Sequence, residues 1–586
     1  MGDERSFQRY WNARRITRRR ALAGGAAGVA ALGAWTLVGC NSGGNGGNGT
    51  PFTPAPEDAP QDGYQDGPGK PGGILRVRQA GALPSMNVFG PGILILAQGL
   101  TLGFTVYDHL WYVPTDTGVR ENFLATEVEQ PDDLTVIAKI GDATFHDKEP
   151  ANGRKVLASD VVASFKRFRQ EVGIGFSWLH HVMDDIVAVD DRTIKITQKF
   201  PWAWIFTSSN AGSPIFTSIM PEEILDDAHA DLRTKDAVGS GHWTLAGHDN
   251  GANIKFRKFQ NFRTFQNGRD ITGQPLLNGV DFRLIADENA AFAAFIAGEI
   301  DQHGFSSRKQ MEDAESRLAG KIRTGEDLSR DYSTLMIRYD PPFTDIRVRQ
   351  AINLLINRDD AIQFLNDGDA VKAGPMPPAH KRYALPESDP AMQEYFRHDI
   401  ADAKKLLDAA SFDYDREYEL KYSNRPVDSE LAEVLKLQFS EGGVKIKLIQ
   451  EDLVKWFSQT LNQSQFEMTC FQHLPYEDPD LPLRFYLAPE GDITGLKNFM
   501  QYSEPKVNAA ILAAAKELDE EERVKKVQEA QKVVMSEYAP MFNIMSRISF
   551  GGSYNYVKGG ITGRGAIGLF NKTTWLDDEA RRSEAG

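Results

Sequence analysis

The chain has 586 residues, 41% of them hydrophobic and 25% charged, with a formal net charge of −15 at pH 7. That length exceeds one ordinary domain, and the composition is that of a soluble globular protein with two or three domains. The acidity is deeper than it looks, because residues 1–39 carry seven Arg against one Asp and one Glu; the remainder holds −15 − 5 = −20, which argues against binding nucleic acid through its whole surface.

The basic stretch 14–20 is followed by a weakly apolar, Gly- and Ala-rich run over residues 21–38, the layout of an export signal. The run is short for a membrane span, and no other stretch reaches that length. Thr17-Arg18-Arg19-Arg20-Ala21-Leu22 resembles a twin-arginine signal. Leu37-Val38-Gly39-Cys40 resembles the lipobox at which bacterial lipoproteins are cut and acylated, which makes Cys40 the expected lipid attachment. Residues 41–71 are dense in Gly, Asn, Pro and Asp and are expected to form a disordered tether. Cys470 is the second of two cysteines, so no intramolecular disulfide is expected, and a buried thiol is the default.

Gly72-Gly73-Ile74-Leu75-Arg76-Val77 reads as the first strand, followed by a loop holding Met86 and Asn87. Leu134, Val136, Ala138 and Ile140 alternate as a strand does. His146 and Asp147 have no third ligand nearby, and the adjacent His180 and His181 point different ways, so no metal site is expected. Residues 186–189 and 193–197 flank Asp190-Asp191-Arg192 as a hairpin. Val238-Gly239-Ser240-Gly241 offers a possible phosphate cradle, but no P-loop lysine follows. Gly298 sits where a helix C-terminus needs it.

Farther on, Leu335, Ile337 and Tyr339 alternate with smaller or polar neighbours, which predicts a strand with one buried face. Pro341 and Pro342 stop it. Thr344 or Asp345 can then cap a helix with the apolar stripe Val348, Ala351, Ile352, Leu355 and Ile356, and Ile362 and Leu365 suggest a second helix. Helix, strand, helix and strand follow over residues 399–410, 418–422, 431–439 and 444–449, an α/β alternation. Asp519 and Glu522 open a helix with the stripe Val524, Val527, Ala530 and Val534. No internal repeat is present.

Pro341-Pro342-Phe343, Val348-Arg349-Gln350-Ala351-Ile352 and Gly374-Pro375-Met376-Pro377-Pro378 come in the order and spacing found in family 5 extracytoplasmic solute-binding proteins, the peptide, nickel and related components of ABC importers. Tyr107-Asp108-His109-Leu110, Phe145-His146-Asp147, Val238-Gly239-Ser240-Gly241-His242-Trp243 and Ala297-Gly298-Glu299-Ile300-Asp301 also resemble that family's motifs, so the likeness runs from about residue 72 to 560. It implies an α/β, two-lobed fold of the type II periplasmic-binding kind, with an extra subdomain in the first lobe and a hinge crossed twice, near residues 330 and 540. The expected division is a signal over 1–40, a tether over 41–71, lobe I over 72–330, lobe II over 331–540, and a return to lobe I over 541–586.

The resemblance further implies a non-enzymatic, monomeric carrier, lipid-anchored outside the cytoplasm, that closes its lobes over a solute and delivers it to an ABC permease. No cofactor, metal or nucleic acid is implied. Relatives that bind dipeptides place an arginine before proline to hold a carboxylate, which singles out Arg425 ahead of Pro426. The stretch from Phe466 to Pro479 resembles a family segment in which an aspartate takes the ligand's ammonium, but Pro475 stands there. Phe471 or His473 lies near the missing tryptophan. The expected solute is therefore polar or anionic, peptide-like or not, held by Arg425 and by Phe471, His473 and Tyr476, with Met86 and Asn87 bordering the cleft. Two other readings remain open at this point, a secreted enzyme exported by the twin-arginine route and a ligand-binding sensor subunit. Against the first, there is no Gly-x-Ser-x-Gly elbow, no His-Glu-x-x-His and no Cys/His cluster.

Overall fold

The strand Ser333–Ile337 is buried along its whole length, not on one face only. In the computed structural model, which describes residues 69–82, 86, 87, 89, 102, 103, 105–112, 120–170, 177–207, 217–250, 252–266, 268–473, 479–486, 499–559, 572–578 and 581, it lies between Met541–Tyr554 and Met468–Gln472, antiparallel to both. An interior strand covered on both faces has no solvent-facing side, so alternation is not its signature. Cys40, the expected signal and Tyr476 lie outside the described residues.

Among the described residues, three sheets of four or more strands build the fold, beside three two-stranded ones. In the first, Ile74–Gln79 runs parallel to Gly279–Leu284, which pairs antiparallel with Ala252–Lys258, and that strand pairs in turn with Trp243–Asp249. The second is wholly antiparallel, in the order Ala125–Asp132, Thr135–Ile140, Thr193–Gln198 and Met183–Asp190, and includes the expected hairpin. Helix Ala158–Phe168 packs on it.

The third sheet is mixed. Its spatial order is Gln302–Phe305, Met541–Tyr554, Ser333–Ile337, Met468–Gln472, Glu417–Ser423 and Lys445–Glu451, with Ile322–Leu328 and Ala370–Lys372 also paired to the long strand. That strand changes partners along its length. Residues 541–545 pair with the strand Ser333–Ile337, whereas residues 550–553 pair with Gln302–Phe305 and residues 548–554 with Ile322–Leu328. The incoming segment is held to it as well, Ser329 N donating to Arg547 O at 2.8 Å. Both passages between the lobes are thereby laced side by side.

Local signals place the helices. Asp345, not Thr344, caps Ile346–Leu355 by accepting from Arg347 N at 2.9 Å. Asn357, Asp399 and Asp519 cap Arg358–Asn366, Ile400–Ala409 and Glu520–Ser536 in the same way, each cap worth about 1 kcal/mol. Val348, Ala351, Ile352 and Leu355 form the buried stripe that their spacing predicts, and Gly298 follows Glu288–Ile296 at φ +69°.

Gly239 and Gly241 have a structural task. Gly241 N donates to Val106 O at 2.9 Å, His146 N donates to Gly239 O at 2.8 Å, and the His146 ring bonds Gly241 O at 3.0 Å. A Cβ on either glycine would overlap the backbone of Thr105, Val106 or Tyr107. These glycines let two backbones touch, and no phosphate is needed to explain them. Gly239→Ala is expected to cost about 1–3 kcal/mol, read as a lower urea midpoint at unchanged slope.

Candidate functional site

Strand direction decides which edge of the third sheet can hold a ligand. Glu417–Ser423, Lys445–Glu451 and Met468–Gln472 run parallel, so their carboxyl ends share one edge, the usual place for ligands in α/β sheets. The antiparallel neighbour Ser333–Ile337 begins at that edge, with Ser333 opposite Gln472 and Tyr332 O accepting from His473 N at 2.8 Å. Asp331, Tyr332, Arg425, Gln472 and His473 are collected there by topology alone.

Arg425 stands at the N-cap of helix Pro426–Glu441, with proline at the first helical position. Three residues on is Asp428, fully buried. Its carboxylate accepts from Arg425 Nε at 2.8 Å and Nη2 at 3.0 Å, from Gln472 N at 3.0 Å and from the Ser423 hydroxyl. Arg425 Nη2 also donates to Gln472 O at 2.9 Å. The guanidinium therefore neutralises a buried acid, and only its Nη1 edge makes no hydrogen bond to the described residues. Beside it, Asp331 Oδ2 accepts from Arg547 Nη2 at 2.6 Å and from Gln472 Nε2, joining the two crossing segments.

Aromatic rings form the other wall. His473 stacks on Tyr332 with centroids 4.2 Å apart, lies 4.3 Å from Phe471 and meets the edge of Phe485 at 4.9 Å. Phe471 packs against Trp456. Burial, reinforced by the positive Arg425, pushes the His473 imidazole well below its ordinary range, so it is neutral. Arg425, Phe471 and His473 are thus brought together. Met86 is buried in the core, and Asn87 turns its Oδ1 towards Phe89 N at 3.2 Å; no contact among the described residues joins either to Arg425.

Contacts between segments far apart in the chain went unforeseen. Arg484 lies over the Trp202 ring at 5.6 Å, Arg523 over Trp204 at 5.1 Å, and Tyr383 meets Trp204 edge-on at 5.6 Å. The Trp-x-Trp pair at 202–204 was the available signal, but its partners lie some two to three hundred residues away. Asp428, at i+3 from Arg425 on a helix start, could have been found from spacing.

A recess of about 550 Å³ opens at the opposite end of these strands, lined by Arg338, Asp340, Arg416, Lys421 and Glu467 among others. Its arginines pair with Asp340 and Glu467, and Lys421 with Gln465 O, so no cation there awaits a ligand. Among the described residues, no three His, Cys, Asp or Glu side chains are grouped to hold a metal, and no helix is long and apolar enough to cross a membrane.

The geometry is that of a two-lobed solute-binding protein. Residues 121–492 match the family model of bacterial extracellular solute-binding proteins, family 5 Middle, and the chain belongs to this family. It is 25% identical over 324 residues to an ABC transporter peptide-binding protein of Brucella ovis, an alignment covering 54% of this chain and 57% of that one, so the chain spans little more than half the length of this curated relative. The fold matches the oligopeptide-binding protein AppA of Bacillus subtilis in complex with a nonapeptide (TM-score 0.70, 20% identity, 87% of this chain and 99% of that one). It equally matches the binding protein AgaA of A. tumefaciens R10 in complex with agropinic acid (TM-score 0.70, 21% identity, 86% and 99%). A family of solute binders carries no covalent chemistry, and the chain is not an enzyme.

Removing the Arg425 guanidinium leaves Asp428 buried with only two donors. Arg425→Ala is expected to cost about 1–3 kcal/mol in urea unfolding, with part of the loss recovered when Asp428→Asn is added. Acid should weaken the fold separately. Burial holds His109 and His380 at about 3 and His146 at about 4, against an ordinary 6.5. Because the unfolded chain takes up protons first, stability is complete above pH 6.5 and falls as pH drops towards about 3, a trend that thermal melts across that range would reveal.

Proposed function

We propose that this chain is the solute-capturing component of an ABC importer and that it holds a polar or anionic organic solute at the hinge end of the third sheet. The observation that carries this is the pairing of one outward Arg425 edge with the Tyr332–His473–Phe471 aromatic wall, beside the two chain crossings. A guanidinium edge suits a carboxylate, and stacked rings suit the flat or apolar part of the same molecule. Tyr476, Met86 and Asn87 would complete the enclosure.

The lobes would comprise residues 72–330 and 331–540, with 541–586 returning to the first. A solute touching both would favour the closed form by its differential affinity for it. Closure would present a joined surface to the permease, and a micromolar affinity, about −8 kcal/mol, is adequate for such a carrier. Export by the twin-arginine signal over residues 1–40, acylation of Cys40 and the tether over 41–71 would hold the monomer outside the cytoplasm at the membrane. The agropinic acid and nonapeptide named for the two structural neighbours support a wide solute range for this fold.

The test is native mass spectrometry of the purified chain before and after partial unfolding, with and without a bacterial small-molecule extract. A single captured species that Arg425→Ala binds at least about tenfold more weakly, about 1.4 kcal/mol, is the expected result. Unchanged affinity in that variant would remove Arg425 from the site.

A further inference from the structure

Two arginines stand at the hinge edge, and they are engaged to different degrees. Arg425 gives Nε and Nη2 to Asp428 and Nη2 again to Gln472 O, whereas Arg547 gives Nη2 alone, to Asp331 Oδ2 at 2.6 Å. Its Nε is buried without a partner, its Nη1 makes no hydrogen bond to the described residues, and yet 40% of the side chain is exposed. The ion pair occupies a single donor of a group that has several. A lysine would hold Asp331 as well, so the fork of Arg547 is not explained by its partner inside the protein.

The crossing strands fix its place. Arg547 O accepts from Ser329 N at 2.8 Å, and the residue pairs in register with Ala370, so its backbone cannot shift without breaking sheet bonds. Gln472 ties it to Arg425: Gln472 Nε2 donates to the same Asp331 oxygen, and Gln472 O accepts from Arg425 Nη2 at 2.9 Å. One residue therefore separates two guanidinium groups, each with an Nη1 edge left over. Asp331 and Gln472 precede Tyr332 and His473, and successive side chains of an extended chain point to opposite faces, so Arg547 lies across the strand ends from the aromatic wall. Arg425, bonded to the Gln472 backbone, stands between them.

We propose that Arg547 is a second oxyanion-binding residue of the capture site and that the solute carries two separate acid groups, one for the Nη1 edge of Arg425 and one for that of Arg547. This rests on the solute-capture reading above and narrows it from a polar or anionic molecule to a diacid. Asp428 and Asp331 already balance the two arginines, so the open site is not a bare pair of cations; each guanidinium would bridge an internal acid and an acid of the solute. Closure would strip water from the Arg547 edge. A monoacid that leaves this edge unpaired is then rejected.

The test captures solute from a bacterial small-molecule extract on the full chain and on two variants, Asp331→Asn and the double Arg547→Gln/Asp331→Asn, read by native mass spectrometry. Asp331→Asn breaks the ion pair and keeps the guanidinium. The double variant removes the guanidinium as well, with no unpaired acid and no change in net charge, and should capture at least about tenfold less than Asp331→Asn. A smaller gap, whether both variants keep the solute or both lose it, assigns Arg547 only to holding the hinge and overturns the inference. Methyl esterification of the released species counts its acid groups: two or more are expected, and fewer overturn it. If the double variant does not fold, Arg547→Met/Asp331→Leu, an apolar replacement of the pair, takes its place under the same criterion. A wild-type chain that captures nothing refutes the solute-capture reading itself, whereas capture by the wild type with no gap between the variants refutes only the role of Arg547.

Discussion

Fourteen residues of one strand must satisfy their backbone hydrogen bonds in two bodies at once. Met541–Tyr554 pairs with Ser333–Ile337 at its start and with Gln302–Phe305 and Ile322–Leu328 at its end, and no buried backbone group there can be left without a partner. That constraint fixes where the chain may cross between lobes. It also brings the first crossing alongside the second, since Ser329 and Asp331 are bonded to Arg547 by backbone and side chain respectively. The pairing shift between Ser333 and Thr334 falls at this junction, where the strand leaves one set of partners for the other.

Charge is organised by the same economy of partners. Each buried aspartate among the described residues has an arginine of its own: Asp108 with Arg263, Asp160 with Arg154, Asp301 with Arg76, Asp331 with Arg547, Asp428 with Arg425 and Asp480 with Arg484, while buried Glu451 pairs with Lys455. A lone buried carboxylate is costly, and the planar guanidinium repairs this best because it can donate two parallel bonds. The acidity of the sequence is therefore a surface property. At the hinge edge the field is set by which guanidinium edges remain after the internal acids have been matched.

Local chemistry was legible in the sequence and distant chemistry was not. Asp345 and Asp519 as caps, the Val348–Ala351–Ile352–Leu355 stripe, the Asp190-Asp191-Arg192 hairpin and Gly298 all depend on neighbours within a few residues, and all lie where their patterns put them. The family, and through it the two-lobed fold, was readable from ordered motifs spread along the chain. Ser333–Ile337 misled because burial on both faces erases alternation. Gly239 and Gly241 looked like a loop for a ligand until Val106, over a hundred residues earlier, filled the space against them. At the site, the type of residue at 425 was informative, but its engagement with Asp428 and Gln472 needed three dimensions.

If the lobes divide near residue 330, as proposed, the long-range cation–π contacts bound what a solute has to contribute. Arg484 over Trp202, Arg523 over Trp204 and Lys516 over Phe200 are cation–π pairs worth about 0.5–2 kcal/mol each. Such pairs bias the lobes towards each other but are too weak to make closure permanent against hinge motion and competing water. A solute would tip the balance only through groups whose bonds form in the closed state and not in the open one. Those groups must lie where both lobes are within reach of one small molecule, which is the hinge edge. There the Arg425 Nη1 edge and the hinge polar atoms Asp331 Oδ1, Ser333 Oγ and Ser546 Oγ make no hydrogen bond to the described residues, so the capture of a polar molecule and the closing of the lobes would be one event.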